Sequence, residues 1–306
     1  MQAHPLVSIV MGTYNGSEFL KEQMDTLLAQ TYPAIEIVII DDCSTDATFD
    51  MLQAYASSDP RIRLSRNSSN LGYNLNFEQA VKAAHGEFIA IADQDDIWEV
   101  EKISEMMKAW DKPNLVMLHS PSALFKTGGS IDWKSVHSRV PFRGDDVRKF
   151  FLYNHISGHN MLFKKSLLQH ALPFPGTMYY DWWLAAVACC SGGIAYVDKV
   201  LAYHRLHEKN ASGFTDHYIP FYKHVLETLP VLLTIPCLPG NAKKFGEKLL
   251  GYYNELAVKK YSAGLQLFIL KHASIIFSFK KKKFPFFSYL KHSRRISTSD
   301  FLRKEH

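Results

Sequence analysis

An α/β fold with a mostly parallel central sheet, extended by a helical C-terminal segment, is what the 306-residue sequence predicts. Three observations predict it. Up to about Trp98, short apolar runs alternate with helical spacings, the rhythm of βαβ units. The apolar runs are continuous rather than alternating, as strands buried on both faces require. Beyond Gly213 the composition shifts to helical segments punctuated by Pro220, Pro230, Pro236 and Pro239.

The elements follow in order. Leu6 to Met11 is a buried strand and Gly12 to Gly16 a turn; Phe19, Leu20, Met24, Leu27 and Leu28 then recur at helical spacing. Ile35 to Ile40 is a second strand, and Ser44 or Thr45 is placed to cap a helix from Ala47 to Ser57. Arg61 to Ser65 is a third strand, and a helix from Asn76 to His85 is expected to stop at Gly86 as its C′ residue. Phe88 to Ala92 is a fourth. Further on, Leu115 to Leu118, His159 to Lys164 and Ala195 to Val200 read as strands, and Gly128 to Asp146 as loop. Ser166 to Gln169 and the segment opened by Asp181 read as helices.

In such sheets ligands bind beyond the carboxyl ends of the strands. The polar clusters Thr13-Tyr14-Asn15, Asp41-Asp42 and Asp93 to Asp96 all lie at such ends. Their positions locate a site before any function is named.

Composition narrows the class. With 47% hydrophobic and 21% charged residues, a large core is available and wholesale disorder is excluded. The net charge of +5 is unevenly divided. Residues from Gly240 to His306 hold 15 Lys and Arg against 4 Asp and Glu, a net +11, whereas Met1 to Pro239 holds 20 against 26, a net −6. Cys43, Cys189, Cys190 and Cys237 show neither CxxC spacing nor a disulfide framework, which fits a reducing compartment. The first residues lack the pattern of a secretory signal, and Lys271 and His272 interrupt the most apolar stretch, Tyr261 to Phe279. The expected location is the cytoplasm.

Asp93 and Asp95 stand at i and i+2, on one side of an extended chain. Two carboxylates that close repel unless a cation or protons neutralise them, and hard oxygen ligands suit Mg²⁺ or Mn²⁺ shared with a substrate phosphate. A helix cap by Asp95 or Asp96 is the plainer reading, but it leaves three acids in four positions unexplained. Of Asp41 and Asp42, one is expected to bind a base or ribose and the other to fix the turn, with Asp42 favoured for binding.

The ordered set SIVMGTYNG, IVIIDDCSTD and GEFIAIADQDDIW, across residues 7 to 98, resembles the family 2 glycosyltransferases of the GT-A fold. SGHNMLF (157–163), YYDWWLAAVA (179–188) and YHRLHEKNASG (203–213) extend the resemblance, which is nearest to the bacterial rhamnosyltransferase-like branch. It implies a GT-A domain over 1–213, with a nucleotide-binding half to about 98 and an acceptor-binding half after it, leaving 214–306 as a helical basic extension. It implies that Asp93 and Asp95 hold the metal and the nucleotide-sugar, with His207 approaching from the C-terminal side. Thr13, Tyr14 and Asp42 match positions around base and ribose, and Asp181 matches the catalytic base. Gly12 departs from relatives that carry a side chain there, which leaves the choice of nucleotide open.

Chemistry alone supports parts of this assignment. Trp182 and Trp183 would desolvate Asp181 and stack on a sugar, although Asp181 equally suits a helix N-cap. Arg205 can pair with phosphate, Asn210 can position the same loop, and His159 can face a sugar or sit in the core. Asn15 completes the Thr13-Tyr14 cluster, and Asn76 lies where relatives line the nucleotide pocket, though turn and cap roles serve it as well. The expected function is inverting transfer from a UDP- or dTDP-sugar to a glycan or lipid-linked acceptor. A nucleotidyltransferase would need a basic triphosphate loop that GTYNG lacks, and a silent scaffold would not need Asp93, Asp95, Asp181 and His207.

Lys280 to Lys283, the aromatics Phe284, Phe286 and Phe287, and Lys291, Arg294 and Arg295 fit peripheral contact with an anionic membrane on its inner face. A solvated charge run beside a core helix is the bland alternative. Nucleic acid is not an expected partner, since no recognised module accompanies the tail and the acidic body would repel phosphate.

Overall fold

The computed structural model describes residues 4–136, 140–208, 218–280 and 285–304. Strands β1 (Val7–Thr13), β2 (Ile35–Asp41), β3 (Ile62–Arg66) and β4 (Phe88–Ala92) are linked by helices α1 (Leu20–Leu28), α2 (Thr48–Ser58) and α3 (Tyr73–Ala83). All four strands are parallel, in the order β3-β2-β1-β4. Thr13 pairs with Asp41 and Met11 with Ala92, so the register brings the ends of β1, β2 and β4 to one edge. Asp42, Tyr14 and Asp93 leave the sheet there.

The chain continues through β5 (Ile97–Trp98), α4 (Lys102–Lys108), β6 (Met117–His119), β7 (Ser122–Phe125) and α5 (Trp133–Val136). Then come β8 (Met161–Lys164), α6 (Leu168–Ala171), α7 (Tyr180–Ser191), β9 (Ile194–Tyr196) and β10 (Ala202–Arg205). Strands β8, β6 and β9 extend the first sheet to seven strands, with β8 antiparallel to both β4 and β6. A second sheet, β5-β10-β7, carries the chain back to the acidic turn after β4. Beyond it lie β11 (Tyr218–Pro220), α8 (Phe221–Leu232), α9 (Gly240–Leu256), α10 (Ala263–Lys271), α11 (Ala273–Ile276), α12 (Pro285–Ile296) and β12 (Leu302–Lys304).

Strand residues alternate between two cores. Ile9 and Met11 meet Leu20, Met24, Ile103 and Met106 on one face, and Val10 meets Phe77 and Val81 on the other. The extension belongs to this second core: Phe221, Val225, Leu249 and Tyr253 are buried in one cluster with Leu184 and Val187 of α7.

Two local expectations are corrected. Gly86 is no C′ residue, because α3 ends at Ala83; a Cβ at Gly86 would lie 2.7 Å from the Leu6 carbonyl oxygen, so this glycine permits close approach to the start of β1. Pro230 lies inside α8 rather than breaking it. Tyr203 to Arg205 lie in β10, paired in parallel with β7. Among the described residues, no helix is long and apolar enough to cross a membrane; the Tyr261 to Phe279 stretch is broken at His272 between α10 and α11.

Candidate active site

At the β1–β2 edge, Asp41 is wholly buried and accepts from the Thr13 hydroxyl (3.1 Å), the Ser44 hydroxyl (2.5 Å) and the Ser44 N–H (2.9 Å), with Arg66 beside it at 3.3 Å. Thr13 is therefore turned into the protein and fixes this corner. Asn15, at φ 48°, accepts from the Thr45 N–H through its side-chain oxygen, so its amide holds the neighbouring turn. Tyr14 is 45% exposed and is free to flank a ligand.

Asp42 is buried, and its two oxygens accept from the Asn67 amide and from the Leu71 and Gly72 N–H groups, each at 2.8 Å. It draws the 67–72 loop over the end of β2. Asn76 donates to the Ile40 carbonyl and accepts from Asn67, so both ends of its amide are engaged. A Cβ at Gly12 would stand 2.9 Å from the Asn76 amide nitrogen, which explains the glycine: Asn76 fills that space.

The acidic turn after β4 is the centre of the site. Gln94 joins it to β1, accepting from the Tyr14 N–H (3.0 Å) and donating to the Tyr14 carbonyl (3.1 Å). Gln23 of α1 donates to the Asp93 carbonyl at 2.8 Å. Asp93, Asp96, His159 and His204 bring one ligand atom each to within 4.8 Å of one another. Asp96 is wholly buried; one oxygen accepts from His204 Nδ1 (2.9 Å) and the Arg205 N–H, and the other has no hydrogen-bond partner among the described residues. His159 Nδ1 lies 3.3 Å from Asp93, and its ring stacks parallel on His204 at 4.9 Å. Asp95 is not part of this cluster and pairs with His207 Nε2 at 2.8 Å.

The electrostatics follow from crowding. Burial, then the charges of Asp96 and Asp93, push the Asp95 carboxyl up to about 6, against the His207 hydrogen bond. Burial opposes a charge on His204, but Asp96, Asp93 and Asp95 outweigh it and lift the imidazole to about 9. Burial likewise opposes charge on Asp96, yet His159 and His204 hold it below the usual carboxylate range. Beneath them Lys102 is wholly enclosed, donating to the His159 carbonyl with its ammonium 3.5 Å above the Trp98 ring; burial drives it down to about 7.

Asp181 sits in the first turn of α7, half-buried, accepting from the Trp182 N–H at 2.6 Å. Burial is the main reason its carboxyl is pushed up to about 6, and the charge of Asp93 adds to it. Tyr180 packs between Phe77 and Phe174, and burial followed by Asp93 and Asp181 raises its phenol far above its ordinary value.

Two expectations about this site are overturned. Trp182 and Trp183 do not face a sugar: they are core side chains, donating to the Phe150 and Ala171 carbonyls at 2.8 and 2.7 Å. On a helix whose residues 182–189 are all buried, an indole satisfies its N–H internally. Arg205 does not reach for phosphate. It is 1% exposed and lies between the Phe19 and Phe125 rings, donating to the Asp95 carbonyl (2.8 Å), Thr127 (3.0 Å) and Glu22 (2.5 Å). Asn210 lies outside the described residues, as do Lys281 to Phe284. Lys102 and the bridging role of Gln94 are not expected from the sequence. Lys102 alone left a trace, a lysine at an apolar-face position of α4 beside Ile103 and Met106.

A model of glycosyl transferase family 2 matches residues 8–172, more than half of the chain. The chain belongs to that family. Among its family 2 relatives, a Bacillus subtilis protein provisionally assigned as the teichuronic acid biosynthesis glycosyltransferase TuaG is 30% identical over 145 residues, 47% of this chain and 58% of TuaG. The chain spans only 58% and 62% of the first curated relatives it matches. Of solved structures, Staphylococcus aureus TarS residues 1–349 in complex with UDP-GlcNAc superposes with a TM-score of 0.62 at 18% identity, covering 95% of this chain and 90% of that one. A Pyrobaculum calidifontis mannosyltransferase in complex with GDP-Man and Mn²⁺ gives 0.57 at 17% identity, covering 95% and 85%. At such identities the likeness concerns the fold, which is the GT-A arrangement, helical extension included.

Proposed function

We propose that the chain is a metal-dependent, inverting glycosyltransferase, moving a sugar from a UDP- or dTDP-sugar to a hydroxyl of a cell-surface or lipid-linked glycan. The observation that carries this reading is that Asp181 lies near enough to Asp93 to feel its charge, with a second carboxylate, Asp95, on the same strand-end turn as Asp93. TarS with UDP-GlcNAc and the mannosyltransferase with GDP-Man and Mn²⁺ support a nucleotide-sugar donor, and TuaG, assigned to teichuronic acid biosynthesis, supports a cell-surface glycan as product.

The donor groups fit a hard divalent cation: carboxylate oxygens and imidazole suit Mn²⁺, and carboxylates Mg²⁺. Two sets share Asp93: one whose ligand atoms lie together among the described residues, and one that the family resemblance implies. The set of Asp93, Asp96, His159 and His204 is the more enclosed, and Asp96 has no access to a substrate. Asp93, Asp95 and His207, with side chains 31%, 14% and 15% exposed, each retain a solvent-accessible side. An ion shared with a diphosphate needs that side, so we assign the metal to Asp93, Asp95 and His207. Asp96, His159, His204 and Lys102 form the largely buried polar layer beside them. When bound, Mg²⁺ or Mn²⁺ supplies charge stabilisation to the departing diphosphate.

The chain's own residues do the rest. Tyr14 flanks the base, while Asp42, Asn76, Asn15 and Thr13 hold the loops that form its pocket. Gln94 and Arg205 fix the acidic turn from two sides, through Tyr14 and through the Asp95 carbonyl. Asp181 takes the proton as the acceptor hydroxyl attacks the anomeric carbon and the bond to the diphosphate breaks. A single displacement inverts that carbon. The enzyme works at the inner face of the cytoplasmic membrane, where lipid-linked acceptors are presented.

Calorimetry with a panel of UDP-, dTDP- and GDP-sugars, with and without Mn²⁺, tests this reading. Binding of a UDP- or dTDP-sugar that needs the ion and is lost in Asp95→Ala is expected. Binding that is indifferent to both ion and substitution would count against it.

A further inference from the structure

We propose that the solvent-facing side of α12 is a docking surface for an anionic lipid bilayer. This extends the membrane location proposed above, and donor turnover plays no part in its test. The helix reads PFFSYLKHSRRI, without an acidic residue. One side is committed to the protein: Ser293 and Ile296 are buried, and the Tyr289 ring stacks on Phe277 at 5.7 Å. The other side is open. Phe286 is 68% exposed, Phe287 72% and Leu290 41%, while Lys291 and Arg294 are exposed as well.

Helical spacing sets these five residues on one surface, since 286, 290 and 294 are four apart, as are 287 and 291. The two phenyl rings pack edge to face at 5.7 Å, making a joint apolar wedge at the start of the helix. The cations follow one turn later. Large apolar side chains gain nothing in water, whereas an interfacial helix buries such a wedge at the level of the acyl chains and leaves its cations among the headgroups.

Charge complementarity identifies the occupant. From Lys259 to Lys304 there are 12 Lys and Arg and a single acid, Asp300. An anionic leaflet attracts such a segment over a Debye length, while the −6 body is repelled and turned away. A protein groove that received the aromatic wedge alone would have no use for so extended a cationic field.

The test is flotation of the full chain with vesicles of mixed phosphatidylcholine and phosphatidylglycerol, and with phosphatidylcholine alone. The wild type is expected to float with the mixed vesicles only, and salt to release it. Phe286→Ser/Phe287→Ser is expected to lower partition roughly tenfold or more, because two apolar side chains no longer enter the interface. Lys291→Glu/Arg294→Glu is expected to lower it roughly 25-fold, about fivefold for each cation. Both variants alter exposed side chains, so their melting curves are expected to match the wild type. Equal flotation of wild type and both variants would overturn the proposal. So would absence of wild-type flotation, or self-association through this face without lipid, seen as a dimer that Phe286→Ser/Phe287→Ser dissolves.

Discussion

Replacing Asp181 with asparagine separates the two roles its position allows, because they predict opposite signs for stability. Its carboxyl is pushed up to about 6, chiefly by burial, so an ionised Asp181 costs the folded state up to about 3 kcal/mol. The side chain is only half-buried, and solvent screening discounts that ceiling to about 1–2 kcal/mol. The folded-state value is raised above the unfolded one, so this cost is fully present above pH ~6 and vanishes below pH ~4. The amide oxygen of the asparagine can still accept the Trp182 N–H. Asp181→Asn should therefore raise the melting temperature by about 2–4 °C at pH 8 and leave it unchanged below pH ~4. It should also lower turnover by about 10²–10⁴-fold, the usual worth of a positioned base. A residue serving only the helix N-terminus behaves otherwise: losing its charge costs about 0.3–1 kcal/mol and leaves turnover alone. Paired melting scans and donor turnover on both proteins decide. A lower melting temperature with turnover within about tenfold of wild type would refute the reasoning.

Three further outcomes are expected. The acid limb of kcat/KM should fall as pH drops through about 6, because Asp181 must be ionised to take a proton; a profile flat to pH ~4.5 would contradict this. Arg205→Lys keeps the charge but loses the fork to the Asp95 carbonyl, Thr127 and Glu22, so it should destabilise by about 2–3 kcal/mol and weaken donor binding. A phosphate-binding arginine would instead raise the donor KM with an unchanged melting temperature. Trp183→Phe should cost about 1–2 kcal/mol through the lost bond to the Ala171 carbonyl and lost volume, with the acceptor KM unmoved; a raised acceptor KM would restore the sugar-stacking role.

Of the four parallel strands, β1, β2 and β4 were legible as continuous apolar runs, β3 (IRLSR) only through the βαβ rhythm, and the polar strand ends pointed to the correct edge of the sheet. The second sheet was not. Its strands are two to four residues long, and β10 reads Ala-Tyr-His-Arg, with two of its four positions spent on the buried charge cluster. Nor could local pattern show that Arg205 is spoken for by Glu22, 183 residues away in the chain. Trp182 and Trp183 misled for a related reason: beside a candidate base they suggest a binding platform, but a helix buried on nearly every side makes them core. Asp96 lay within the acidic motif yet reads as a cap until β10 brings His204 to it. Motif residues told where the chemistry is; the division between ligand-facing and supporting side chains needed the long-range contacts.

Release of nucleoside diphosphate from the sugar-nucleotide panel, followed by mass spectrometry with Mn²⁺ and with EDTA, tests the central claim most directly. The account predicts that one UDP- or dTDP-sugar is turned over, that EDTA abolishes the reaction, and that Asp95→Ala and Asp181→Ala do the same. Undiminished turnover in both variants, or no turnover of any donor by the wild-type chain with acceptor present, would contradict it.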